Sequence, residues 1–246
     1  MDAKLAKFPL DRQTDLANTH CEDKPANRKE YLSMVGSLMY AALRSRSDIA
    51  FSVTALSQYN VQPLEMHTTA AKRVLQYLKT TVGFRIHYRQ LLNPTTIVGY
   101  TDSNWAGNLT TRKSIGRCVF GLGNINVNNE LVISGLIHWQ AKSQSVVALS
   151  TLDAEYIACL HATQESLWLK HMMKEATGGM AVKIVDGPVP IGCDNQGAVK
   201  FQYVTSESNP ADLMMKPLAV PRHERLLQLT RITLFGPDDG EPKYDE

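Results

Sequence analysis

The sequence predicts an α/β fold in which a small helical segment precedes a sheet covered by helices. Three observations lead to this class. Residues 28–81 carry apolar side chains at helical spacing, β-rich runs begin near residue 95, and residues 151–175 form a long helical pattern. The composition, with 43% hydrophobic and 20% charged residues among 246, is typical of a globular protein and excludes collagen-like, coiled-coil and wholly disordered chains.

The segment of residues 28–90 is predicted to contain three helices, up to about residue 81, and then a short strand over residues 84–88. Apolar residues of the first recur at helical spacing, at Tyr31, Val35, Leu38 and Met39. A second helix is expected from Ser47, a suitable N-cap, and a third from Leu64 to Lys79. The third helix carries a basic face formed by Lys72, Arg73 and Lys79. This face could bind phosphates, although a solvated helix face is the simpler interpretation.

Residues 95–235 are predicted to form the α/β part of the chain. Short β-rich runs cover residues 97–101, 114–122, 136–140 and 182–192, and a long helix is expected over residues 151–175. Residues 1–27 are polar and mixed, which indicates an arm or linker. The acidic tail, residues 236–246, is expected to be disordered.

Three acidic residues occupy positions at which α/β proteins often build sites. Asp102 and Asp194 end predicted strands, and Glu155 lies in the first turns of the long helix. Asp212 is a fourth candidate. Converging carboxylates suit hard divalent cations, which assist phosphodiester cleavage. Helix caps and turns are the plainer explanation of acids at such positions.

Several features of the sequence indicate the cellular compartment in which the protein is expected. No apolar run approaches the length of about 18 residues that is needed to span a membrane. The first residues include no apolar stretch, so we expect no secretory signal and an intracellular protein. The sequence does not distinguish cytoplasm from nucleus and does not give the oligomeric state. Four scattered cysteines favour neither a zinc site nor disulfides, so free thiols are expected.

The acidic residues lie within motifs that resemble a known family. Residues 98–107 (VGYTDSNWAG), followed by Arg112, Lys113 and Ser114, resemble the opening strands of the ribonuclease H region in copia-type retrotransposon polyproteins. Residues 148–158 resemble its first helix, and residues 193–198 its fourth strand and the following helix start. Its closing segment is matched by three short motifs, at residues 203–205, 211–213 and 216–218. Three upstream segments resemble the end of the reverse transcriptase in the same polyproteins: residues 31–40, 46–50 and 70–79.

This resemblance implies a fold and an activity. The fold would be a ribonuclease H-like mixed sheet flanked by helices, preceded by a helical segment like a reverse-transcriptase thumb or connection. The activity would be cleavage of RNA in RNA–DNA hybrids with two Mg²⁺ ions, for which Mn²⁺ can substitute. No small-molecule cofactor or membrane is implied. By motif, the four metal ligands would be Asp102, Glu155, Asp194 and Asp212.

The resemblance also places three polar residues near the hybrid: Ser150, Asn195 and Gln196. Short polar groups there could recognise ribose 2′-hydroxyls, which distinguish RNA from DNA. Capping of a helix N-terminus explains Asn195 and Gln196 equally well. An alternative function is a non-catalytic retrotransposon remnant that at most binds nucleic acid, through the basic face of the third predicted helix.

The sequence departs from the family at three places. The polymerase active-site segment is absent, so no DNA synthesis is expected. Residues 124–135 are interpreted as an insertion between two strands. Residues 195–200 leave only a short connection where the family has several dozen more residues, as if by internal deletion. Parallel strands need a crossover of about a dozen residues or more, so we expect the normal crossover to be lost, leaving Asp212 without an assured route to the metals.

Overall fold

Helices come first along the chain and most of the strands follow. The structure is a computed structural model that describes residues 6–11, 14, 16–17, 24–89, 96–108, 111–126, 128, 130–176, 188–194, 202–203, 209–214, 220–230 and 232–233. The helices are α1 (Arg28–Arg44), α2 (Ala50–Ser57), α3 (Glu65–Thr80), α4 (Thr151–Ala176) and α5 (Val220–Leu229), with 3₁₀ helices at Ser47–Ile49 and Pro210–Met214. The strands are β1 (Arg85–Ile86), β2 (Thr96–Asn104), β3 (Ile115–Ile125), β4 (Leu131–Ser143), β5 (Ile191–Cys193), β6 (Gln202–Tyr203) and β7 (Ile232–Thr233).

The helices α1, α2 and α3 pack around one apolar cluster, as their sequence spacing predicts. Asn27 caps α1, because its Oδ1 accepts hydrogen bonds from the backbone N–H groups of Lys29 and Glu30 at 3.1 and 3.3 Å. The buried side chains of α1 are Tyr31, Val35, Leu38 and Ala42. They meet apolar residues of α2 and α3, so burial of these faces stabilises the helices together.

Part of the predicted N-terminal arm packs against these helices. Ala6, Leu10 and Leu16 are buried in the same apolar cluster. Asp11 lies 3.7 Å from the guanidinium group of Arg73 on α3, and that group also lies 5.0 Å from the ring centroid of Phe8. These described residues therefore cover part of α3 instead of extending away from it.

The main sheet has five strands in the order β4-β3-β2-β5-β6. β3 runs antiparallel to both β2 and β4, whereas β5 and β6 run parallel to β2. The predicted α/β class is confirmed, and the sheet is mixed. In this register Asp102 on β2 lies directly opposite Arg117 on β3, so their side chains share one face of the sheet.

Each face of the sheet is covered by a different set of helices. α4 packs across β2 and β3, over a cluster that includes Ile97, Phe120 and Leu169. On the opposite face, Val98 and Tyr100 contribute to a cluster with residues of α2 and α5. Successive residues of β2 thus point alternately toward α4 and toward the helices of the other face. No helix among the described residues combines the length and apolar character that crossing a membrane requires.

Most of residues 124–135, which were interpreted as an insertion, belong to the hairpin of β3 and β4. β3 and β4 remain paired to the end of the hairpin, where Ile125 is opposite Leu131. Register shifts after Phe120 and after Leu122 interrupt the ladder without ending it. Most of the presumed insertion therefore extends the two strands.

The short connection after β5 does not prevent parallel pairing, contrary to expectation. Gly192 is opposite Gln202, and Cys193 is opposite Tyr203. The connecting residues 195–200 lie outside the described residues. The strands are three and two residues long, so the chain returns only about 10 Å along the strand direction, far less than after a typical strand. Parallel pairing at this point therefore does not require the long crossover whose loss was expected.

A buried polar network joins the helical segment to α5. The guanidinium group of Arg46 donates to both carboxylate oxygens of Asp48, at 2.9 and 2.7 Å. The hydroxyl of Tyr77 donates to Asp48 at 2.8 Å and lies 3.2 Å from Nε2 of His223 on α5. Burial lowers the pKa of His223. In addition, the indole N–H of Trp139 on β4 donates to the carbonyl oxygen of Ala42 at 2.7 Å, so α1 is tied to the sheet.

Replacing Asp48 with alanine is expected to destabilise the protein strongly. Its side chain is fully buried, and its loss leaves the guanidinium of Arg46 without its charged partner. The free energy of unfolding should fall by about 3–5 kcal/mol, measured by urea denaturation. Asp11→Ala is the matched control, because its ion pair is partly exposed and its loss should cost less than about 1 kcal/mol. Equal effects of the two substitutions would contradict the structural importance of the network.

Candidate metal centre

Carboxylates from four separate segments meet near the end of β2. Asp102 belongs to β2, Glu155 to the first turns of α4, Asp194 follows β5, and Asp212 lies in the 3₁₀ helix Pro210–Met214. The negative charges of Glu155, Asp194 and Asp212 all act on Asp102. The structure thus brings together the four acidic residues singled out in the sequence, including Asp212, whose route to the others was not assured by the sequence.

Asp102 is buried, and the other three acidic residues surround it. Only 5% of the residue is exposed. Burial, followed by the charges of Glu155, Asp194 and Asp212, raises the pKa of Asp102 well above its ordinary value of 3.8. Hydrogen bonding with Asp212 adds to this rise in the pKa of Asp102, whereas hydrogen bonding with Asp102 lowers the pKa of Glu155. Without a cation, the centre therefore tends to retain a proton on Asp102.

Ser103 holds the carboxylate of Glu155, a role that was not predicted. Both the backbone N–H and the hydroxyl of Ser103 donate to Oε1 of Glu155, at 3.1 and 2.7 Å. The same N–H also approaches Oδ1 of Asp102 at 2.7 Å. Burial raises the pKa of Glu155, and the hydrogen bonds from Ser103 oppose this rise. The alternation of side chains along a strand could have predicted this contact. Ser103 follows Asp102 and so points to the opposite face of the sheet, where α4 carries Glu155.

Asp194 stands beside Glu155 and a buried thiol. Ligand atoms of Glu155, Cys193 and Asp194 all lie within 4.8 Å of one another. The thiol of Cys193 lies 3.8 Å from Oε2 of Glu155, and the thiol of Cys159 lies 3.9 Å from that of Cys193. Hydrogen bonding to Cys193 and burial raise the pKa of Cys159. The three described cysteines are free, as expected, but two of them approach each other closely.

Asp212 is held in place by a buried asparagine. The side-chain amide of Asn209 donates to the carbonyl oxygen of Thr101 at 3.1 Å, and its Oδ1 accepts the backbone N–H of Ala211 at 3.1 Å. This pair of bonds ties the 3₁₀ helix to β2, next to Asp102. Arg222 on α5 donates to Oδ2 of Asp212. Asn209 and Arg222 are therefore positioning residues that the sequence reasoning missed.

Arg117 is buried beside the same carboxylates. The residue is 2% exposed, and its three guanidinium nitrogens have no hydrogen-bond partner among the described residues. Burial lowers the pKa of Arg117 to about 9, while the charges of Asp102 and Asp212 act in the opposite direction. The guanidinium carbon lies 5.5 Å from the ring centroid of Phe51 on α2. The principal charges that balance this cation are those of the two carboxylates.

The donor set fits a hard divalent cation. Carboxylate oxygens are the ligands preferred by Mg²⁺ and Mn²⁺, and here they converge without full compensation by cations. Burial, followed by this excess of negative charge, raises the pKa of Asp102. A divalent ion would relieve the repulsion, whereas no phosphate or other anion is expected to bind directly to these carboxylates.

The other predicted contact residues have different surroundings. The hydroxyl of Ser150 accepts the backbone N–H of Asp153 at 3.1 Å, so Ser150 caps α4. Lys72 and Lys79 are exposed on α3, whereas Arg73 contacts the N-terminal segment. Asn195 and Gln196 lie outside the described residues. The predicted basic face of α3 is thus reduced to Lys72 and Lys79 as exposed cations.

Fold and site define an α/β protein with a buried carboxylate centre at one end of a mixed sheet. The chain is 34% identical, over 259 aligned positions and 91% of its length, to the retrovirus-related Pol polyprotein from transposon TNT 1-94 of Nicotiana tabacum. It is 32% identical, over 195 positions and 79% of its length, to the corresponding polyprotein from transposon RE1 of Arabidopsis thaliana. These matches span 18% and 12% of the two polyproteins.

A shorter protein is also similar to more than half of the chain. The chain is 36% identical, over 148 positions and 60% of its length, to the secreted RxLR effector protein 161 of Plasmopara viticola, of which it covers 96%. No family model matches the chain, and no solved structure does. The chain belongs to the retrovirus-related Pol polyproteins of copia-type retrotransposons.

Replacing Asp102 with asparagine is expected to stabilise the metal-free protein at neutral pH. Above the ordinary pKa of 3.8 the unfolded chain loses the Asp102 proton, whereas the folded protein retains it up to the raised pKa. The folded state then binds more protons, so wild-type stability falls as the pH rises through this window. Each unit of raised pKa corresponds to about 1.4 kcal/mol, which the asparagine variant should recover.

Thermal unfolding in EDTA, at neutral pH and near the ordinary pKa of a carboxyl group, measures this effect. The stabilisation should shrink toward the lower pH. Glu175→Gln, at an exposed position near the end of α4, is the control and should show no comparable stabilisation. An Asp102→Asn protein that is less stable than wild type at neutral pH would contradict the described crowding of carboxylates.

Proposed function

We propose that the protein is a ribonuclease H-like enzyme that hydrolyses the RNA strand of RNA–DNA hybrids with Mg²⁺. The observation that carries the proposal is the convergence of four carboxylates, each from a different motif of the chain, around Asp102. Independent segments rarely bring like charges together in a buried place without a function, because their repulsion reduces stability. Membership of the retrotransposon polyprotein family supports the same reaction class.

The sheet also agrees with a ribonuclease H-like fold. An antiparallel meander of β2, β3 and β4 is followed by α4 and then by β5 and β6, which run parallel to β2. The carboxylates lie at the carboxyl ends of β2 and β5, where open α/β sheets form their sites. The proposed site thus has the position that this architecture favours.

The residues of the proposed site have two roles, since some would bind the metal and others hold those residues in position. Asp102, Glu155, Asp194 and Asp212 would hold Mg²⁺, which when bound would activate water and stabilise negative charge on a phosphate. Ser103 orients Glu155 through two hydrogen bonds, and Asn209 holds the segment of Asp212 against β2. These contacts keep the ligands in position before substrate arrives, so less ordering is needed in the reaction.

Recognition of the hybrid is assigned to polar and basic groups outside the carboxylate centre. Ser150 stands at the start of α4, the helix that carries Glu155 in its first turns, and Asn195 and Gln196 follow Asp194 directly in the sequence. Such short polar side chains suit ribose 2′-hydroxyls. Exposed Lys72 and Lys79 on α3 are suited to phosphates of the backbone.

The alternative function is a non-catalytic remnant that binds nucleic acid. Two observations favour it. Arg222 donates a hydrogen bond to a carboxylate oxygen of Asp212, and Lys72 and Lys79 are exposed on α3. Binding by these lysines would depend steeply on salt, because it releases counterions from the phosphates. The alternative requires no divalent ion, so binding of hybrid in EDTA would persist.

Cleavage of a labelled RNA–DNA hybrid in Mg²⁺ and in Mn²⁺ tests the proposed activity. The wild-type protein should cut the RNA strand, and Asp102→Asn should lower the rate by more than about 100-fold because it alters the centre of the ligand set. Asp153→Asn is the matched control, since this acid lies on α4 close to Glu155 in sequence yet takes no part in the described cluster.

Three outcomes separate the functions. Cleavage that Asp102→Asn abolishes and Asp153→Asn retains supports the enzyme. Salt-dependent binding without cleavage, by a protein that unfolds cooperatively, supports the alternative and refutes the enzyme. Cleavage that survives Asp102→Asn points to a contaminating nuclease and also refutes the proposed site.

A further inference from the structure

Two arginines compensate one half of the carboxylate centre. Arg222 donates to Oδ2 of Asp212, and Arg117 is buried where the charges of Asp102 and Asp212 act on it. In the register of β2 and β3, Arg117 lies directly opposite Asp102. Both cations therefore stand on the side of the centre formed by Asp102 and Asp212.

Among the described residues, only Asp102 and Asp212 are identified as groups whose negative charge stabilises the buried guanidinium group of Arg117. Its guanidinium nitrogens have no hydrogen-bond partner among the described residues, and its neighbour Phe51 offers only a ring face. Burial of an unpaired guanidinium is costly, so a compensating charge nearby is required. Asp212, and Asp102 when it is ionised, are the groups whose charges act on Arg117 in this way.

The opposite half of the centre has a different composition. Glu155, Cys193 and Asp194 bring their ligand atoms within 4.8 Å of one another. Ser103 engages Oε1 of Glu155, while Oε2 lies on the side of the Cys193 thiol. This half offers a defined position for a cation, bounded by two carboxylates and a polarisable sulfur atom.

The net charge agrees with a single divalent ion. Four carboxylates and two guanidinium groups carry a net charge of −2 when all are ionised, which one divalent ion neutralises. A second ion would reverse the sign of a buried cluster and would stand close to Arg117. Like charges brought together in a buried place repel strongly.

We infer that the centre binds one divalent cation, between Glu155, Cys193 and Asp194, and that Arg117 and Arg222 take the place of a second cation beside Asp102 and Asp212. The inference rests on the proposed metal-dependent function and deepens it. Arg117 and Arg222 are positioning residues, since they act through the carboxylates. The two-ion arrangement that the family resemblance implies is thereby replaced by one ion and two guanidinium groups.

The stoichiometry of Mn²⁺ binding tests this inference without any measurement of activity. Isothermal titration of the whole protein with Mn²⁺ should give one site, and Glu155→Gln should abolish it. Arg117→Met and Arg222→Met should each allow a second Mn²⁺ to bind, which magnetic coupling between two ions would reveal by electron paramagnetic resonance. Arg117→Lys should restore the single site, because it restores the buried charge.

Two controls keep the result interpretable. Arg112→Met removes an exposed arginine that precedes β3 and should leave the stoichiometry at one. Arg222 is more exposed than Arg117, with 28% of its side chain accessible, so Arg222→Met remains informative where Arg117→Met does not fold. Cooperative thermal unfolding of each variant establishes that it is folded.

The outcomes distinguish failure of this inference from failure of the proposed function. Two ions bound by the wild-type protein, or one ion bound by the folded Arg222→Met variant, would overturn the inference and leave the metal-dependent function standing. No Mn²⁺ binding by folded wild-type protein would overturn both. One ion in the wild type and two in the arginine variants would support the inference.

Discussion

Mutual repulsion between carboxylates at the end of β2 is the constraint to which the surrounding structure responds. Asp102 is buried among three other acids, and its pKa is raised first by burial and then by the charges of these neighbours. Ser103 donates a hydrogen bond to Glu155, and Arg222 donates one to Asp212. Arg117 places a positive charge near Asp102 and Asp212. Each of these contacts offsets part of the repulsion, and a divalent cation would offset most of the remainder.

The helical segment contributes to this arrangement through its contacts with the sheet and α5. Tyr77 reaches His223, which adjoins Arg222 in α5, and Arg222 in turn holds Asp212. Phe51 of α2 faces the guanidinium of Arg117. The segment that resembles the end of a reverse transcriptase therefore supports the carboxylate centre. Removing it would expose Arg117 and release one attachment of α5.

Much of the fold follows from local patterns that sequence reasoning can detect. The spacing of Tyr31, Val35 and Leu38 predicted the buried face of α1, and the long periodic run predicted α4. The four acidic residues were found because they occur in recognisable motifs, although their distances could not be derived from spacing alone. Sequence therefore identified the acidic residues of the centre better than it identified the contacts that hold them.

The missed features depend on pairings between distant parts of the chain. The position of Arg117 opposite Asp102 follows from strand register, which composition does not reveal. The proximity of Cys159 and Cys193 was more accessible, because Cys159 lies one helical turn after Glu155 and Cys193 precedes Asp194. The pairing of β5 with β6 was misjudged because a rule for long strands was applied to strands of three and two residues.

Anomalous scattering from a crystal grown with Mn²⁺ tests the central claim most directly, since it locates the ion among the carboxylates. We expect a peak at about 2.2 Å from carboxylate oxygens of Glu155 and Asp194, with the guanidinium group of Arg222 still donating to Asp212. A map without a peak near these residues, from a protein whose fold matches the one described, would contradict the claim that the cluster is a metal centre.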